Sequence, residues 1–254
     1  MKCVKAIKTI VLVVFALILL GSVAGCATTE ETPKKTVFAL FDISGSTQQE
    51  RGRYLKDFEK VLEAMNSGDT IVADKIDNSP LAKASYPVNT TFARGSVDPN
   101  ENQAKAYIKN KHLPEVLKRQ RAEVLSQART LVNGESASTD ILGALPLAER
   151  VFASYPNEKN VLIVFSDMYH QSGDYNFRSG AFEEAAFSNI IESVKQRDLL
   201  PNLKGVRVYI VCPTKDSSKQ VMLVRKFWLR YFSRTGAAMA PQNYGSSLIN
   251  FRER

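Results

Sequence analysis

Three separate segments of the chain carry oxygen-bearing side chains of the kind that bind a hard divalent cation. The first is Asp42-x-Ser44-x-Ser46, which directly follows an apolar run. Alternate residues of a short loop can turn one carboxylate and two hydroxyls towards one point, and Mg²⁺ takes oxygen ligands in an octahedron at about 2.0–2.1 Å. Loops of Asp, Ser, Gly and Thr are also ordinary turns, so this pentapeptide by itself fits both interpretations.

The other two candidates lie at the ends of predicted elements. Thr139 opens the helical sequence Thr-Asp-Ile-Leu-Gly-Ala-Leu, and Asp167 follows the apolar run 161–165. Each has a structural interpretation as well, because Thr is a common helix N-cap and Asp commonly begins a turn. These residues become candidates for a metal site only if the fold brings them close to the Asp42 segment.

The elements that must position these residues follow from the hydrophobic pattern. Continuous apolar runs predict strands buried on both faces, and segments of helical periodicity alternate with them. We therefore predict a three-layer α/β fold, with a mainly parallel central sheet flanked by helices in a Rossmann-like arrangement. The predicted strands are 36–41, 70–76, a weak edge strand at 89–93, 159–166, 206–211 and a short last strand at 237–240; the predicted helices are 54–65, 103–132 with a kink at Pro114, 139–152, 181–196 and 217–233.

Sheets of this kind bind ligands at the carboxyl ends of their strands, which is where Asp42 and Asp167 fall. Together with Thr139 they resemble the metal-ion-dependent adhesion site (MIDAS) of von Willebrand factor type A (vWA) domains, over about residues 36–240. The resemblance implies that Mg²⁺ or Mn²⁺ is held with one position open for an acidic group of a partner, and that Asp140 accepts a hydrogen bond outside the ligands. The implied metal ligands are Asp42, Ser44, Ser46, Thr139 and Asp167.

Three features depart from the family pattern. The stretch between Ser46 and Thr139 is long, which predicts an insertion around residues 84–113. Met168 stands after Asp167 where glycine is common in the family, and the polar loop 168–180 is long. These departures concern the rim of the site more than its ligands.

The first residues are interpreted as a targeting segment. Lys2, Lys5 and Lys8 precede the apolar run 10–20, and the small residues that follow lead to Cys26. This order is typical of a secretory signal peptide, and Val-Ala-Gly-Cys26 resembles a bacterial lipobox. The resemblance implies a signal peptide at 1–25, lipidation of Cys26, a polar tether at 26–35 and a folded domain at 36–254. An uncleaved anchor helix, or a plain signal with a chance cysteine, is the alternative.

Charge and cysteine content bear on nucleic-acid binding, on the state of the cysteines and on the location of the protein. The three signal lysines account for three units of the net charge of +8, leaving +5, and the basic residues are scattered among acids, so nucleic-acid binding is not expected. Cys212 remains as a single thiol in an apolar run, where a buried, inert cysteine is expected. Ala27 after the lipid cysteine is not aspartate, which by analogy with Gram-negative sorting favours the outer membrane facing the periplasm.

We expect from these observations a lipid-anchored binding module of the cell envelope that uses its metal site to bind a protein or acidic ligand, and not an enzyme. A metal-independent structural lipoprotein with a degenerate site is the first alternative. A phosphatase resembling the haloacid dehalogenases is the second alternative. Such an enzyme needs a second carboxylate as general acid/base two residues after the nucleophile, and this chain has Ser44 there. The two histidines, His112 on a charged helix and His170 in the polar loop, are expected to be exposed and form no triad or zinc site.

Two helices leave a further choice open. The aromatic residues of the last predicted helix (Phe227, Trp228, Tyr231 and Phe232) are at helical spacing and are expected to be core, with a partner groove as the alternative. The charged helix around residues 105–129 is interpreted as a solvated face, and a role at an anionic membrane or cell-wall surface is the alternative.

Overall fold

The computed structural model describes residues 34–254, except 97, 99, 156, 158, 214–217, 249–250 and 252–254. The predicted signal peptide, Cys26 and nearly all of the predicted tether lie outside the described residues. Within the part of the chain that is described, no helix is both long and apolar enough to cross a membrane.

The sheet has six strands in the order β3-β2-β1-β4-β7-β8, and a separate two-stranded hairpin is formed by β5 and β6. All neighbours in the sheet are parallel except β3, which pairs antiparallel with β2 at the edge. This confirms the predicted three-layer α/β fold, including its edge strand. The strands are β1 Lys35–Asp42, β2 Thr70–Ile76, β3 Val88–Thr91, β4 Lys159–Phe165, β5 Gln171–Ser172, β6 Tyr175–Asn176, β7 Arg207–Val211 and β8 Tyr244–Gly245.

Seven α-helices in the described part of the chain cover the sheet. Their apolar residues form one core against each face of the sheet: α1 and the second half of α3 cover one face, and α4 to α7 cover the other. The helices are α1 Arg51–Glu63, α2 Pro80–Lys83, α3 Gln103–Val132, α4 Ile141–Ala144, α5 Pro146–Ser154, α6 Phe187–Gln196 and α7 Lys219–Arg234. The aromatic residues of α7 are fully buried, as expected for core.

The central strand β1 shows why the sheet forms here. All eight of its residues are buried, and alternate side chains serve the two cores because successive residues of a strand point to opposite faces. Val37, Ala39 and Phe41 belong to the core under α1, while Phe38 and Leu40 belong to the core under α5. A continuous apolar run was therefore the right signal for a strand with helices on both sides.

Three boundaries differ from the sequence prediction. The single helix predicted over 139–152 is two helices, because Pro146 has no N–H to donate and begins α5 instead. The helix predicted from residue 181 begins as α-helix only at Phe187, after a 3₁₀ turn at Glu184–Ala186. The last strand is β8 rather than 237–240, where Ala238 makes only an isolated bridge to Arg207.

The segment 84–113, predicted as an insertion, contains β3 and the first part of α3. The helix α3 continues through Pro114 and is 30 residues long. Its buried residues, Val124, Ala128, Leu131 and Val132, all lie in its second half. The first half therefore adds little to the core.

Candidate metal-binding site

The candidate residues meet at the point where the strand order reverses. From β1 the sheet continues through β2 to one edge, and from β4 it continues through β7 to the other. A crevice opens outside the carboxyl ends of the strands at such a point, and doubly wound sheets bind their ligands there. The register pairs Phe41 with Phe165, and their rings stack with centroids 4.6 Å apart. Asp42 and Ser166, the next residues of the two strands, are therefore neighbours.

Asp42 is fully buried, and both of its carboxylate oxygens accept hydrogen bonds. The Ser44 backbone N–H donates to Oδ1 at 2.9 Å, and the Ser166 hydroxyl donates to Oδ2 at 2.6 Å. Burial, and next the nearby Asp167 carboxylate, raise the pKa of Asp42 to about 6. At neutral pH the buried group therefore carries a negative charge held by neutral donors.

The loop after Asp42 is fixed by side chains that sequence inspection did not single out. The Thr47 hydroxyl donates to the Asp42 carbonyl at 2.8 Å and to the Ser44 carbonyl at 3.0 Å. Arg51 Nη2 donates to the carbonyl of the residue after Asp42 at 2.7 Å. In the loop shaped this way, the Ser44 and Ser46 hydroxyl oxygens lie 3.1 Å apart and share a hydrogen bond. The two serine hydroxyls therefore lie side by side in the loop that follows the Asp42 carboxylate.

Thr139 reaches the same edge of the sheet through backbone contacts. Ser136, three residues earlier, forms a parallel bridge with Ser44. Thr139 itself exchanges two backbone hydrogen bonds with Gln171 of the β5–β6 hairpin, at 3.2 and 2.9 Å. Its side chain is buried. The structure therefore places Thr139 between the Asp42 loop and the hairpin.

The prediction that Thr139 is a helix N-cap is wrong. Asp140 holds that position, and its Oδ1 accepts a hydrogen bond from the Gly143 backbone N–H at 2.9 Å. A Cβ atom on Gly143 would lie 2.2 Å from Asp140 Oδ2, so a larger residue there would have to displace this carboxylate from the cap. Asp140 is therefore a hydrogen-bond acceptor here, and the donor is the backbone of α4.

The Asp167 carboxylate forms an ion pair with an arginine side chain of the same domain. Its Oδ1 accepts the Tyr169 N–H at 3.1 Å, and its Oδ2 lies 2.6 Å from Nη2 of Arg178. The guanidinium of Arg178 also lies over the Tyr169 ring, 4.1 Å from its centroid. Arg178 comes from the loop after β6, which the sequence pattern showed only as polar. Like Thr47 and Arg51, it is a residue of this site that sequence reasoning did not identify.

Met168 adopts a backbone conformation that favours glycine. Its φ is +64°, in the left-handed region, which gives a physical reason why glycine is common at the matching position of vWA domains. Here the Met168 N–H donates to the Ser166 hydroxyl at 2.8 Å, and Trp228 Nε1 donates to its carbonyl at 2.8 Å. The Met168 side chain is fully buried. These contacts stabilise the strained turn that orients Asp167.

The donor set fits a hard cation by its chemistry. It offers two carboxylates and neutral hydroxyls, all oxygen, as Mg²⁺ and Mn²⁺ prefer. Tyr54 adds a second observation: its buried hydroxyl has no hydrogen-bond partner among the described residues. Burial, and after it the Asp42 and Asp167 carboxylates, raise the pKa of Tyr54. A water on a bound ion would satisfy such a group. The described residues contain no cluster of three or more His, Cys, Asp or Glu side chains suited to a metal, so any ion here depends on the hydroxyls.

Comparison with known proteins gives a likeness of fold. No family model matches the chain and no curated protein matches its sequence. Solved structures similar to it include a von Willebrand factor type A protein from Catenulispora acidiphila, which is 10% identical with a TM-score of 0.43 over 80% of this chain and 42% of that chain. The pilus adhesin SpaC from Lactobacillus rhamnosus GG is 10% identical with a TM-score of 0.45 over 85% and 28%.

An aerotolerance-related membrane protein from Bacteroides fragilis NCTC 9343 is 13% identical with a TM-score of 0.37 over 86% of this chain and 92% of that chain. The chain spans less than half the length of the first two proteins. At 10–13% identity and TM-scores below 0.5, these similarities concern the fold alone. Function has to be inferred from the geometry of the strand-end residues themselves.

The expectation that His170 is exposed is wrong, because the side chain is buried beside the hairpin. Its Nδ1 accepts the Leu142 backbone N–H at 3.5 Å, and its Nε2 lies 3.1 Å from the Ser172 carbonyl oxygen. These partners fit the neutral ring with its proton on Nε2. Burial lowers the pKa of His170 to about 4. The ring therefore stabilises the hairpin in its uncharged form.

Replacing His170 by Asn should reduce the loss of stability in acid. The unfolded chain takes up a proton near pH 6.5 and the folded one only near 4, so stability from this group is present above about pH 6.5 and lost as the pH falls. Between pH 7 and pH 5 the wild type should lose about 2 kcal/mol more of its unfolding free energy than His170→Asn. Urea unfolding at both pH values measures this.

The raised pKa of Asp42 acts in the opposite direction, since it favours the folded state as pH falls. Both proteins keep Asp42, so its contribution cancels when their pH dependences are subtracted. Parallel stability curves for the two proteins would contradict the assignment of a buried neutral imidazole.

Proposed function

We propose that this domain is a binding module of the cell envelope that holds Mg²⁺ or Mn²⁺ at the Asp42 loop and uses it to capture an acidic group of a partner protein. Asp42, Ser44, Ser46, Thr139 and Asp167 would hold the ion. The ion supplies a positive charge with an open coordination position, and neutral hydroxyl ligands leave much of that charge uncompensated.

The observation that carries this proposal is the pair of carboxylates at the reversal point. Asp42 ends β1 and Asp167 lies two residues after the neighbouring strand β4; after burial, the Asp167 charge helps to raise the pKa of Asp42. Two like charges in a buried crevice repel each other, and a divalent cation between them would remove the repulsion. The serine hydroxyls beside Asp42 complete an oxygen-lined position.

Binding is favoured over catalysis by what surrounds Asp42. A phosphatase of the haloacid dehalogenase kind needs a free aspartate nucleophile and a second carboxylate two residues on. Both Asp42 oxygens are engaged in hydrogen bonds, and the position two residues on is Ser44. His170 is buried against the hairpin and is not placed as a general base for a nucleophile.

One observation favours the alternative of a metal-independent domain. Arg178 already provides a cation at Asp167 with an N–O distance of 2.6 Å. In that alternative Arg178 replaces the metal ion, and the domain binds partners by its surface alone. The two interpretations differ in whether Mn²⁺ can enter the site.

Wild-type protein should bind Mn²⁺ or Mg²⁺, and Asp42→Asn should abolish binding because it removes a buried ligand charge. Ser44→Ala should weaken binding by more than about tenfold, since it removes one hydroxyl and leaves the backbone N–H that holds Asp42. Titration calorimetry at neutral pH measures the affinities. Ser126→Ala, at an exposed serine of α3, is the control and should bind as the wild type does. Wild-type protein that gives neither heat nor a thermal shift with either ion would support the metal-independent alternative.

Arg178→Gln should bind Mn²⁺ more tightly than the wild type, because the guanidinium and the ion compete for Asp167. A partly exposed ion pair contributes up to about 1 kcal/mol, which corresponds to about a fivefold change in affinity. Arg197→Gln is a matched control: its side chain is also 43% exposed and pairs with Asp174 of the same hairpin, away from Asp167. Equal or weaker binding by Arg178→Gln would show that the guanidinium does not compete with the ion.

We also propose that Cys26 anchors the protein by lipid at the envelope, in the outer membrane facing the periplasm if the organism is Gram-negative. The support is the signal-like order of residues 1–26. Two or more acyl chains hold a protein stably on a bilayer, whereas one chain gives only reversible binding.

Cells grown with labelled palmitate should incorporate label into the wild-type chain and lose it in Cys26→Ser. Cys212→Ser should keep the label, because Cys212 is a buried thiol within the folded domain. Label in Cys26→Ser, or a membrane-bound wild type without label, would favour an uncleaved anchor helix instead.

A further inference from the structure

The first half of α3 packs against the rest of the domain at few positions, one of them Leu117, which contacts the core. We call residues 103–119 the basic arm. None of its residues is buried, and burial begins only at Val124. Asn102 caps its first turn by accepting hydrogen bonds from two backbone N–H groups. The Ser96 N–H, from the loop that precedes the helix, donates to Asn110 Oδ1 at 2.7 Å and supports one side of the arm.

The arm projects past the amino-terminal edge of the sheet. Arg121 marks that edge, because its guanidinium donates to the carbonyls of Leu62 and Met65 at the end of α1, at 2.9 and 2.7 Å. Lys35, the first residue of β1, donates from Nζ to the neighbouring Ala64 carbonyl at 2.6 Å. The arm therefore leaves the domain at the edge where β1 begins.

The other end of α3 shows the direction of the helix. Ser136, just after α3, bonds to Ile43 beside the Asp42 loop, at the carboxyl ends of the strands. The helix thus runs from one edge of the sheet to the other, and the arm extends away from the candidate metal site. With a rise of 1.5 Å per residue, the 18 residues from Arg121 back to Gln103 span about 27 Å.

The arm has the chemistry of a surface that meets an anionic bilayer. Its only acidic residue is Glu115, and it carries five basic residues: Lys105, Lys109, Lys111, Lys118 and Arg119. Tyr107 and Ile108 are 66% and 55% exposed, two of the three large hydrophobic side chains that stand out as exposed in the described chain. Tyr at the headgroup level, apolar insertion beside it and Lys around both are typical of interfacial helices.

We propose that the basic arm lies against an anionic lipid bilayer and orients the anchored domain. The inference rests on the lipid anchorage proposed above and is independent of the metal site. The chain enters β1 at the edge from which the arm projects, and Lys34 comes eight residues after Cys26. Fully extended, they reach at most about 29 Å, which matches the length of the arm. Basic residues near an anionic surface add to the attraction between protein and bilayer.

The test uses the full lipidated chain carrying Ile108→Cys labelled with an environment-sensitive fluorophore, reconstituted into vesicles. One set of vesicles is phosphatidylcholine alone and the other contains about one third phosphatidylglycerol. The fluorophore emission should shift to shorter wavelength only with phosphatidylglycerol, and the shift should be lost at about 1 M salt, where the Debye length is about 3 Å.

Met222→Cys is the matched labelling control, since Met222 is 58% exposed and lies near the start of α7, on the side of the hairpin and the metal site. Its emission should be equal in both vesicles. The double variant Lys109→Gln/Lys111→Gln should remove the emission shift of the fluorophore at position 108. The double variant Lys219→Gln/Lys226→Gln, which changes the charge of α7 by the same amount, should keep that shift.

The outcomes separate the two proposals. Protein that does not float with either vesicle contradicts the lipid anchor, and the arm inference fails with it. Protein that floats with both but gives equal emission from position 108 overturns the arm inference alone. An emission shift produced by soluble polyglutamate and not by phosphatidylglycerol would overturn it in favour of an acidic protein partner.

Discussion

The burial of the Asp42 carboxylate at the end of β1 is the constraint around which the strand-end loops are arranged. A charge removed from water costs several kcal/mol unless it is hydrogen-bonded or paired. Ser44 and Ser166 each supply a donor to Asp42, one from its own loop and one from the neighbouring strand. The same Ser166 hydroxyl accepts the Met168 N–H. One buried charge therefore links β1 to β4 and orients the turn that carries Asp167.

The fold and the positions of Asp42 and Asp167 at strand ends were predictable because the physics behind them is local. The strands show as continuous apolar runs, since helices on both faces leave no polar side in β1 or β4. Asp42 and Asp167 follow those runs, and parallel strands end at one edge. Helix boundaries were less certain, because Pro146 allows either a kink or a new helix, and the choice depends on packing over β1 and β4.

The contacts of the β5–β6 hairpin could not be predicted from the sequence. Residues 168–180 have no apolar periodicity, so nothing local indicated that β5 would pair with Thr139 or that Arg178 would return to Asp167 across 11 positions. His170 was expected in solvent because polar neighbours surround it, yet the turn carries it inward against Leu142. Thr139 and His170 both bond to this hairpin, and Arg178, just after it, joins the segment to Asp167.

The two edges of the sheet have separate roles under these proposals. Parallel strands gather the oxygen donors at their carboxyl ends, and the connection after β3 sends α3 out past the opposite edge. Strands of seven or eight residues at about 3.3 Å each separate the two edges by roughly 25 Å. A domain held to a bilayer by the basic arm would therefore present the Asp42 loop away from the lipid. An acidic partner would then meet the ion without approaching the anionic membrane surface, whose charge would otherwise repel it.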